Sequence, residues 1–298
     1  EEALILFEII LKKHPDNVDA LYLASVSSRY LKKFDDSKKY IEQLLFNAPD
    51  MGRAYQELGH INRDMGNEEK AAINYRQACE LNPALLSSWN LLHQYFIKNK
   101  NQPAADHAKK QIEKLQSLPP ALLYIDQILN EGRLGLAERQ CRAFLKKNPT
   151  HTYAMSLLSE IANRLGYFDD AEFLLEKAVE FKPNDGDLRM QYAAILRKKQ
   201  KFAQTMEQVN ILCDQYPDNP IYQAQKASEI MQNGDHKKAI KMFDDILGKN
   251  PYNFSTHTSK GHAQKTLGKT DQAISSYQNA YRIKPDHGEA FFSLANLK

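Results

Sequence analysis

The chain has 298 residues, of which 42% are hydrophobic, 26% are charged and 10% are aromatic, a composition typical of a soluble globular protein with a large core. The 40 Lys and Arg residues nearly balance the 37 Asp and Glu residues and leave a net charge of +3. The basic surplus of most nucleic-acid-binding surfaces is therefore missing, and we expect no nucleic-acid partner. No apolar run approaches the ~20 residues of a membrane-spanning helix, so no membrane association is expected.

Proline recurs along the chain with a spacing of 34 residues. Two series share this step: Pro15, Pro49 and Pro83, and then Pro149, Pro183, Pro217, Pro251 and Pro285. The 66 residues from Pro83 to Pro149 are two fewer than two full periods, so one repeat in the middle has lost two residues. A fixed period of this length predicts a solenoid of stacked repeats instead of one or two compact domains.

Each repeat is predicted to contain two helices, and residues 52–85 show the pattern most clearly. The first helix is expected from about Arg53 to Met65, and the second from about Glu68 to Leu81. Glycine in the turn between the helices can adopt the left-handed conformation at low cost, and it recurs as Gly66, Gly132, Gly166, Gly234 and Gly268. A short polar residue after the closing proline is expected to cap the next helix, as at Asp16, Asp50, Asn184, Asp218 and Asp286.

The second helices combine small and large residues at helical spacing. Alanine lies twelve residues before the closing proline in six repeats, at Ala3, Ala71, Ala137, Ala171, Ala239 and Ala273. Four residues later a bulky side chain follows, as at Tyr75, Phe243 and Tyr277. Small residues beside large ones allow two helices to pack closely, so these positions are expected to form the core of each repeat.

The pattern W-x2-L-G-x2-Y … A-x3-F … P is matched at Tyr55, Leu58, Gly59, Ala71, Tyr75, Ala78 and Pro83, and the chain therefore resembles the tetratricopeptide repeat (TPR) family. The resemblance implies an all-α, right-handed superhelical solenoid of antiparallel helix pairs, with about eight full repeats. We expect a single solenoid over residues 1–298, divided into a half repeat (1–17), repeats 18–51, 52–85, 86–117, 118–151, 152–185, 186–219, 220–253 and 254–287, and a truncated repeat (288–298).

Repeat 86–117 departs from this pattern. It has no closing proline, and its second helix, which is expected to start near Pro103, is strongly polar. Pro119 and Pro120 follow, and proline is compatible with the first position of a new helix. We therefore expect a kink, or an altered angle between repeats, within residues 99–120.

The resemblance also implies that the first helix of each repeat lines a concave groove, with residues about two, five, nine and twelve into the repeat facing it. The candidates at these positions are Arg53, Gln56, His60, Arg63, Asn90, Gln94, Tyr153, Glu160, Asn163, Arg197, His262 and Lys265. Solenoids typically bind partners on such surfaces, so we expect a non-catalytic scaffold that holds a protein or peptide, although a merely solvated wall would explain the same residues. Chaperone tails are not expected, because no repeat has the Lys at position five and Asn at position nine that would grip them.

The sequence contains none of the common motifs for phosphate, metal or catalytic chemistry. Neither of the two glycine-rich phosphate-binding motifs, G-x-x-x-x-G-K-[ST] and G-x-G-x-x-G, occurs in the sequence, and there is no H-E-x-x-H or C-x-x-C spacing. We therefore expect no catalytic, cofactor-binding or metal-binding residues in this segment. The three cysteines, Cys79, Cys141 and Cys213, are expected to be reduced and packed, which suits a cytoplasmic location. The basic run 197–201 is attributed to the preference of cations for helix C-termini, with an acidic or phosphate-bearing partner as the alternative.

The ends of the chain lie inside predicted helices, so we expect it to be a piece of a longer protein. Residues 284–298 resemble the junction in bacterial proteins that join these repeats to a C-terminal sulfotransferase domain. That resemblance implies an alternative function, in which the chain is the repeat arm of a sulfotransferase with its catalytic domain after Lys298. A domain of the same polypeptide would then be a further candidate for the partner in the groove.

Overall fold

The computed structural model describes residues 1–285 and 288–296, and in this part of the chain all regular structure is α-helical. Its helices are α1 (Glu2–Lys13), α2 (Val18–Tyr30), α3 (Phe34–Asn47), α4 (Gly52–Asp64), α5 (Glu68–Leu81), α6 (Leu86–Lys98), α7 (Gln102–Gln116), α8 (Pro120–Asn130), α9 (Leu134–Lys147), α10 (Thr152–Arg164), α11 (Phe168–Phe181), α12 (Gly186–Lys198), α13 (Phe202–Gln215), α14 (Pro220–Gln232), α15 (His236–Lys249), α16 (Phe254–Thr266), α17 (Thr270–Ile283) and α18 (Gly288–Ala295). Among the described residues, no helix is long and apolar enough to span a bilayer.

The turns inside the helix pairs have the left-handed residue that the sequence predicts. Gly66, Gly132, Gly166, Gly234 and Gly268 all have φ between +72° and +91°. In three other pairs Lys32, Lys100 and Gln200 occupy the corresponding turn with φ of 56° to 60°, a conformation that is less favourable for a side chain with a Cβ atom. The turn geometry is therefore maintained even where glycine is replaced.

The helix caps lie one residue later than the sequence analysis placed them. Asn17, Asp185 and Asn219 accept hydrogen bonds from the first turns of α2, α12 and α14, whereas Asp16, Asn184 and Asp218 are not the cap residues. The residue before α4 is Met51, which has no capping side chain, so Asp50 was also misassigned. Asp286 lies outside the described residues. The cap must directly precede the first helical residue for its side chain to reach the free backbone N–H groups, and each of these prolines forms a turn with the one residue after it before that position.

In two of the helix pairs, a glycine on the first helix contacts an aromatic ring on the second. A Cβ atom at Gly59 would lie only 2.5 Å from Cε1 of Tyr75, so only glycine fits there. Gly261 and Tyr277 repeat this arrangement, with the same distance of 2.5 Å. Tyr75 and Tyr277 are buried, as the pattern of the second helices predicts.

The chain forms two compact units, Glu1–Pro149 (unit 1, α1–α9) and Thr150–Lys298 (unit 2, α10–α18). In unit 2, each helix packs against the next one along the chain. In unit 1 the same order holds from α1 to α7, but α7 and α8 make little or no close backbone contact, and α8 packs against α9 instead. The helix α8 thus leaves the regular stacking order directly after the residues 117–119 that join it to α7.

Candidate functional site

The predicted groove residues lie on the first helices of the pairs, and each unit carries a set of them. We call the face of α2, α4 and α6 that bears Arg53, Gln56, His60, Arg63, Asn90 and Gln94 the groove face of unit 1. The face of α10, α12, α14 and α16 that bears Tyr153, Glu160, Asn163, Arg197, His262 and Lys265 is the groove face of unit 2. The contacts of these side chains differ along each face.

At one end of the groove face of unit 1, the chain itself covers a predicted binding residue. The guanidinium Nε of Arg53 lies 2.6 Å from Oε1 of Glu131, which follows α8, and the Glu131 side chain is only 3% exposed. Burial raises the pKa of Glu131, against the opposing effect of the Arg53 and Arg133 charges. Arg133 in turn pairs with Asp19 at the start of α2. Arg53 is therefore engaged in a contact within the chain.

The carboxyl-terminal part of α8 is fixed next to the start of α6. The side-chain amide of Asn82 donates to the backbone oxygen of Gln127 at 3.1 Å. In return the side-chain amide of Gln127 donates to the backbone oxygen of Ala84 at 2.9 Å. Together with the ion pairs of Glu131 and Arg133, these bonds place the carboxyl-terminal end of α8 and the turn after it beside the amino-terminal ends of α6, α4 and α2, in that order.

The central residues of the groove face of unit 1 also have partners within the chain. Gln56 donates to the hydroxyl of Ser88 on the neighbouring first helix at 2.9 Å. The Asn90 amide donates to the backbone of its own helix at 3.0 Å. Nδ1 of His60 lies 2.9 Å from the Tyr75 hydroxyl. Burial, with the charges of two nearby arginines, lowers the pKa of His60 to about 4, so this imidazole is neutral at pH 7.

A buried ion pair on this face was missed by the sequence analysis. Arg29 of α2 contacts Glu57 of α4 through Nε, at 2.6 Å, and Asp64 through Nη1, at 3.1 Å. The Glu57 side chain is only 2% exposed. Arg29 lies twelve residues into repeat 18–51, the position that Arg63 has in the next repeat, so the repeat pattern could have identified it. Glu57 has no such signal, because it lies outside the four groove positions.

Beside Arg63 and Gln94, the groove face of unit 1 contains an open cavity of about 180 Å³. Its lining is largely apolar and includes Tyr75, Leu91 and Tyr95, while Arg63, Gln94 and Lys98 supply polar groups. Gln94 is exposed, and the Arg63 side chain, which pairs with the adjacent Asp64, is 43% exposed. The cavity combines an apolar lining with accessible cationic and amide groups, an arrangement that suits a side chain of a bound peptide.

The groove face of unit 2 carries a chain of polar contacts between successive first helices. Lys198 donates to the side-chain oxygen of Asn163 at 2.7 Å, and Asn163 donates to Glu160 at 3.0 Å. Arg197 pairs with Glu229, whose side chain is 4% exposed and whose pKa is raised by burial. Of the other predicted residues, Tyr153 is half-buried and Lys265 is exposed. The structure brings Glu160 and Asn163 together, whereas Arg197 is engaged with a carboxylate that the sequence analysis did not identify.

The predicted residue His262 of unit 2 repeats the contact of His60. Its Nδ1 atom lies 2.9 Å from the Tyr277 hydroxyl, and its Nε2 atom lies 3.1 Å from Glu289. Within residues 1–285 and 288–296, no group of three or more His, Cys, Asp or Glu side chains has the arrangement of a metal site. All three cysteines lie in buried positions.

Comparison with known proteins identifies the repeats. The family model described as tetratricopeptide repeat matches residues 52–85, 153–185 and 254–287. Among solved structures, TTC0263, a thermophilic TPR protein of Thermus thermophilus, has 18% identity and a TM-score of 0.50, over 59% of this chain and 96% of that one. YrrB, described as a TPR protein with an unusual peptide-binding site, has 16% identity and a TM-score of 0.46, over 62% of this chain and 96% of that one. A tetratricopeptide repeat protein from Parabacteroides merdae ATCC 43184 has 13% identity and a TM-score of 0.49, over 94% of this chain and 98% of that one.

None of these matches concerns a sulfotransferase. The predicted junction with such a domain therefore rests on residues 284–298 alone, of which 286, 287, 297 and 298 lie outside the described residues. The matched segments agree within one residue with three of the repeats expected from the proline spacing, while the other repeat boundaries stay predictions. The chain carries tetratricopeptide repeats at these three places, and its fold is the all-helical fold of a tetratricopeptide-repeat solenoid.

Proposed function

We propose that this chain is a non-catalytic scaffold that binds a peptide segment of a partner protein on the groove face of unit 1. The observation that carries the proposal is the open cavity beside Arg63, Gln94 and Lys98. Other candidates on the same face, such as Arg53 and Gln56, are already bound to groups of the chain. Tetratricopeptide repeats act as protein-interaction scaffolds, and extended surfaces of this kind are what solenoids use for binding.

The lining of the cavity indicates the chemistry of the peptide. Tyr75, Leu91 and Tyr95 offer apolar surface, so a single apolar side chain of the peptide would be removed from water there. Arg63 and Lys98 line the same cavity. In the structure Arg63 forms an ion pair with Asp64, and Lys98 forms one with Glu68. A carboxylate of the peptide can replace these exposed partners, because exposed ion pairs contribute little and exchange readily. The proposed ligand is therefore a peptide with an apolar side chain next to a carboxylate.

The proposal can be tested by selection from a randomised peptide library on the immobilised full chain. We expect enrichment of peptides in which an apolar residue adjoins Asp, Glu or the C-terminal carboxylate. Affinity of the selected peptides should fall at least tenfold in Arg63→Ala and remain unchanged in Arg76→Ala, which removes an exposed arginine from α5 of the same repeat. Absence of enrichment, or equal affinity for both variants, would contradict the proposed site.

The proposal also includes the features expected from the sequence that the fold leaves untested. It places the chain in the cytoplasm and assigns it no cofactor. The arm of a sulfotransferase remains the alternative prediction for the parent protein, and a downstream domain of the same polypeptide remains the alternative occupant of the groove.

A further inference from the structure

The helix α9 carries a row of cations along its exposed side. Its exposed residues at helical spacing share one face of the helix. We call them the basic face of α9: Gly135, Arg139, Arg142, Ala143 and Lys146. The buried residues of this helix, Ala137 and Cys141, lie on the opposite side. The basic face therefore points away from the part of α9 that packs within the fold.

The positive charge of the chain is concentrated at this helix. Residues 133–147 contain five Lys and Arg residues and one Glu, a local charge of +4, whereas the whole chain has a net charge of only +3. Arg142 pairs with Glu138 at 2.8 Å, but this exposed pair exchanges readily with another carboxylate. Arg139 and Lys146 form no ion pair with any residue of 1–285 or 288–296. Their charges are thus available to a partner.

The repeat pattern does not require cations at these positions. The three basic residues lie ten, seven and three residues before Pro149, and no other second helix with a closing proline has Lys or Arg at all three of the corresponding places. The second helices of the following two repeats are acidic there instead. Their residues at these positions are Phe173, Glu176 and Glu180 in α11, and Glu207, Asn210 and Asp214 in α13.

The row of cations also works against the stability of α9 itself. Like charges three and four residues apart repel each other on the surface of a helix. Cations stabilise a helix mainly in its last turn, where Lys146 and Lys147 lie, whereas Arg139 and Arg142 are closer to the middle of α9. Helix stability therefore does not explain Arg139 and Arg142, while binding of an anionic partner does.

We propose that the basic face of α9 binds an extended acidic segment of a partner protein, with Asp or Glu at every second residue. Arg139, Arg142 and Lys146 follow each other at about 4.5 and 6 Å along the helix axis. Carboxylates on alternate residues of an extended chain are about 6.5 Å apart, so the long side chains of α9 can pair with them in turn. Gly135 and Ala143 add little bulk between the cations, which lets the segment approach the helix.

The composition of the basic face favours an acidic protein segment over other anionic partners. The face has no aromatic ring on which a nucleic-acid base could stack. It has no apolar side chain larger than alanine that could enter a lipid bilayer. Its three cations extend over about 10 Å and could neutralise only a few phosphates of a nucleic acid.

This inference goes beyond the proposed peptide site and does not depend on it. The basic face belongs to a second helix, whereas the groove face of unit 1 is formed by first helices. A segment without apolar residues lacks the group expected in the Arg63 cavity. Arg63→Ala therefore tests only the cavity, and substitutions in α9 test only the basic face.

The probe for this face is a fluorescein-labelled peptide of alternating Glu and Ser, and its neutral counterpart has Gln in place of Glu. Binding to the full chain is measured by fluorescence anisotropy at low ionic strength and again at about 0.15 M salt. The test variant is Arg139→Gln/Lys146→Gln. The matched control, Lys237→Gln/Lys241→Gln, removes two charges from exposed positions of another second helix, α15.

We expect the Glu peptide to bind the unaltered chain and the α15 control equally, and the α9 variant at least tenfold more weakly. Affinity should fall with added salt, and the Gln peptide should not bind. The inference is overturned if the Glu peptide does not bind the unaltered chain, or if both variants lose affinity equally, since net charge alone would then be responsible.

Two further probes distinguish the other anionic partners. A thymidine oligonucleotide with the same number of charges and vesicles of phosphatidylcholine with phosphatidylserine are titrated in the same way. If either binds more tightly than the Glu peptide and loses this affinity in the α9 variant, the acidic protein segment is the wrong partner.

A thermal melt separates binding from a structural role of the cations. Removing Arg139 and Lys146 relieves repulsion within α9, so the α9 variant should melt at the same temperature as the unaltered chain or higher. A lower melting temperature than that of the α15 control would show that these cations support the fold, and it would contradict the proposal.

Discussion

Nδ1 of His60 and the hydroxyl oxygen of Tyr75 lie 2.9 Å apart, and they join the first and second helices of one repeat. The same pair recurs in unit 2 as His262 and Tyr277, also at 2.9 Å. Burial raises the pKa of Tyr75 to about 12 and, with two nearby arginines, lowers that of His60 to about 4. Both groups are neutral at pH 7, so this is a hydrogen bond between uncharged partners, whose donor depends on the imidazole tautomer.

The close contact beneath this pair predicts that Gly59→Ala destabilises unit 1. A methyl group at Gly59 would lie 2.5 Å from the Tyr75 ring, which must move and weaken its bond to His60. We expect a loss of about 1–3 kcal/mol in the free energy of unfolding, measured by urea denaturation. Gly248→Ala is the control: its added methyl group meets no atom within 4 Å and should be neutral or slightly stabilising. An equal response of the two variants would contradict the contact.

The lowered pKa of His60 predicts acid sensitivity. The unfolded chain binds a proton at this residue near its ordinary pKa of about 6.5, whereas the folded chain does so only near 4. Between these values the unfolded state holds more protons, so the stability contributed by neutral His60 falls as the pH decreases from about 6.5 to 4. His60→Gln removes the titrating group and should reduce this pH dependence. The comparison needs urea melts of both proteins across that range, and parallel profiles would show that His60 does not contribute.

We expect the loss of the buried ion pair between Arg29 and Glu57 to destabilise the protein more than the loss of an exposed ion pair. Arg29→Ala leaves the Glu57 carboxylate, 2% exposed, without its cation and should cost about 3–5 kcal/mol. Arg142→Ala breaks an exposed pair with Glu138 and should cost less than about 1 kcal/mol. Double substitution of Arg29 and Glu57 by Met and Leu should recover part of the loss, because the buried charge is then removed. Denaturant melts measure all of these values.

The cavity predicts different outcomes for two equivalent alanine substitutions. Ala273 is fully buried, and Ala273→Leu should overpack its repeat at a cost of about 1–3 kcal/mol. Ala71 occupies the corresponding position but borders the 180 Å³ cavity, so the larger side chain in Ala71→Leu can enter it. We expect a smaller stability loss for Ala71→Leu, together with weaker binding of the peptides selected for the groove face of unit 1. Equal losses with unchanged peptide binding would contradict this placement of the cavity.

The sequence by itself predicted the fold because each repeat encodes its structure in nearby residues. The 34-residue spacing of proline and the turn residues such as Gly66 fix where helices end, and Gly59 with Tyr75 specifies how two adjacent helices pack. These are local or nearest-neighbour effects, and a solenoid is held together mainly by such effects. The predicted helix caps were nevertheless wrong by one residue. Residue type alone therefore places the end of a helix only approximately, because the exact position depends on the backbone geometry.

The arrangement of the groove face was decided by tertiary structure alone. The repeat pattern placed Arg53 and His60 among the candidate binding residues. In the folded chain Arg53 forms an ion pair with Glu131, and His60 forms a hydrogen bond with Tyr75. Glu131 meets Arg53 where α8 departs from the stacking order, and hydrogen bonds between residues far apart in the sequence hold α8 at this place. A repeat pattern describes the features that successive repeats share, so it was sufficient to predict the helices of this protein. Where α8 leaves the regular stacking order, the long-range contacts of Gln127 and Glu131 determined which groove residues have partners within the chain.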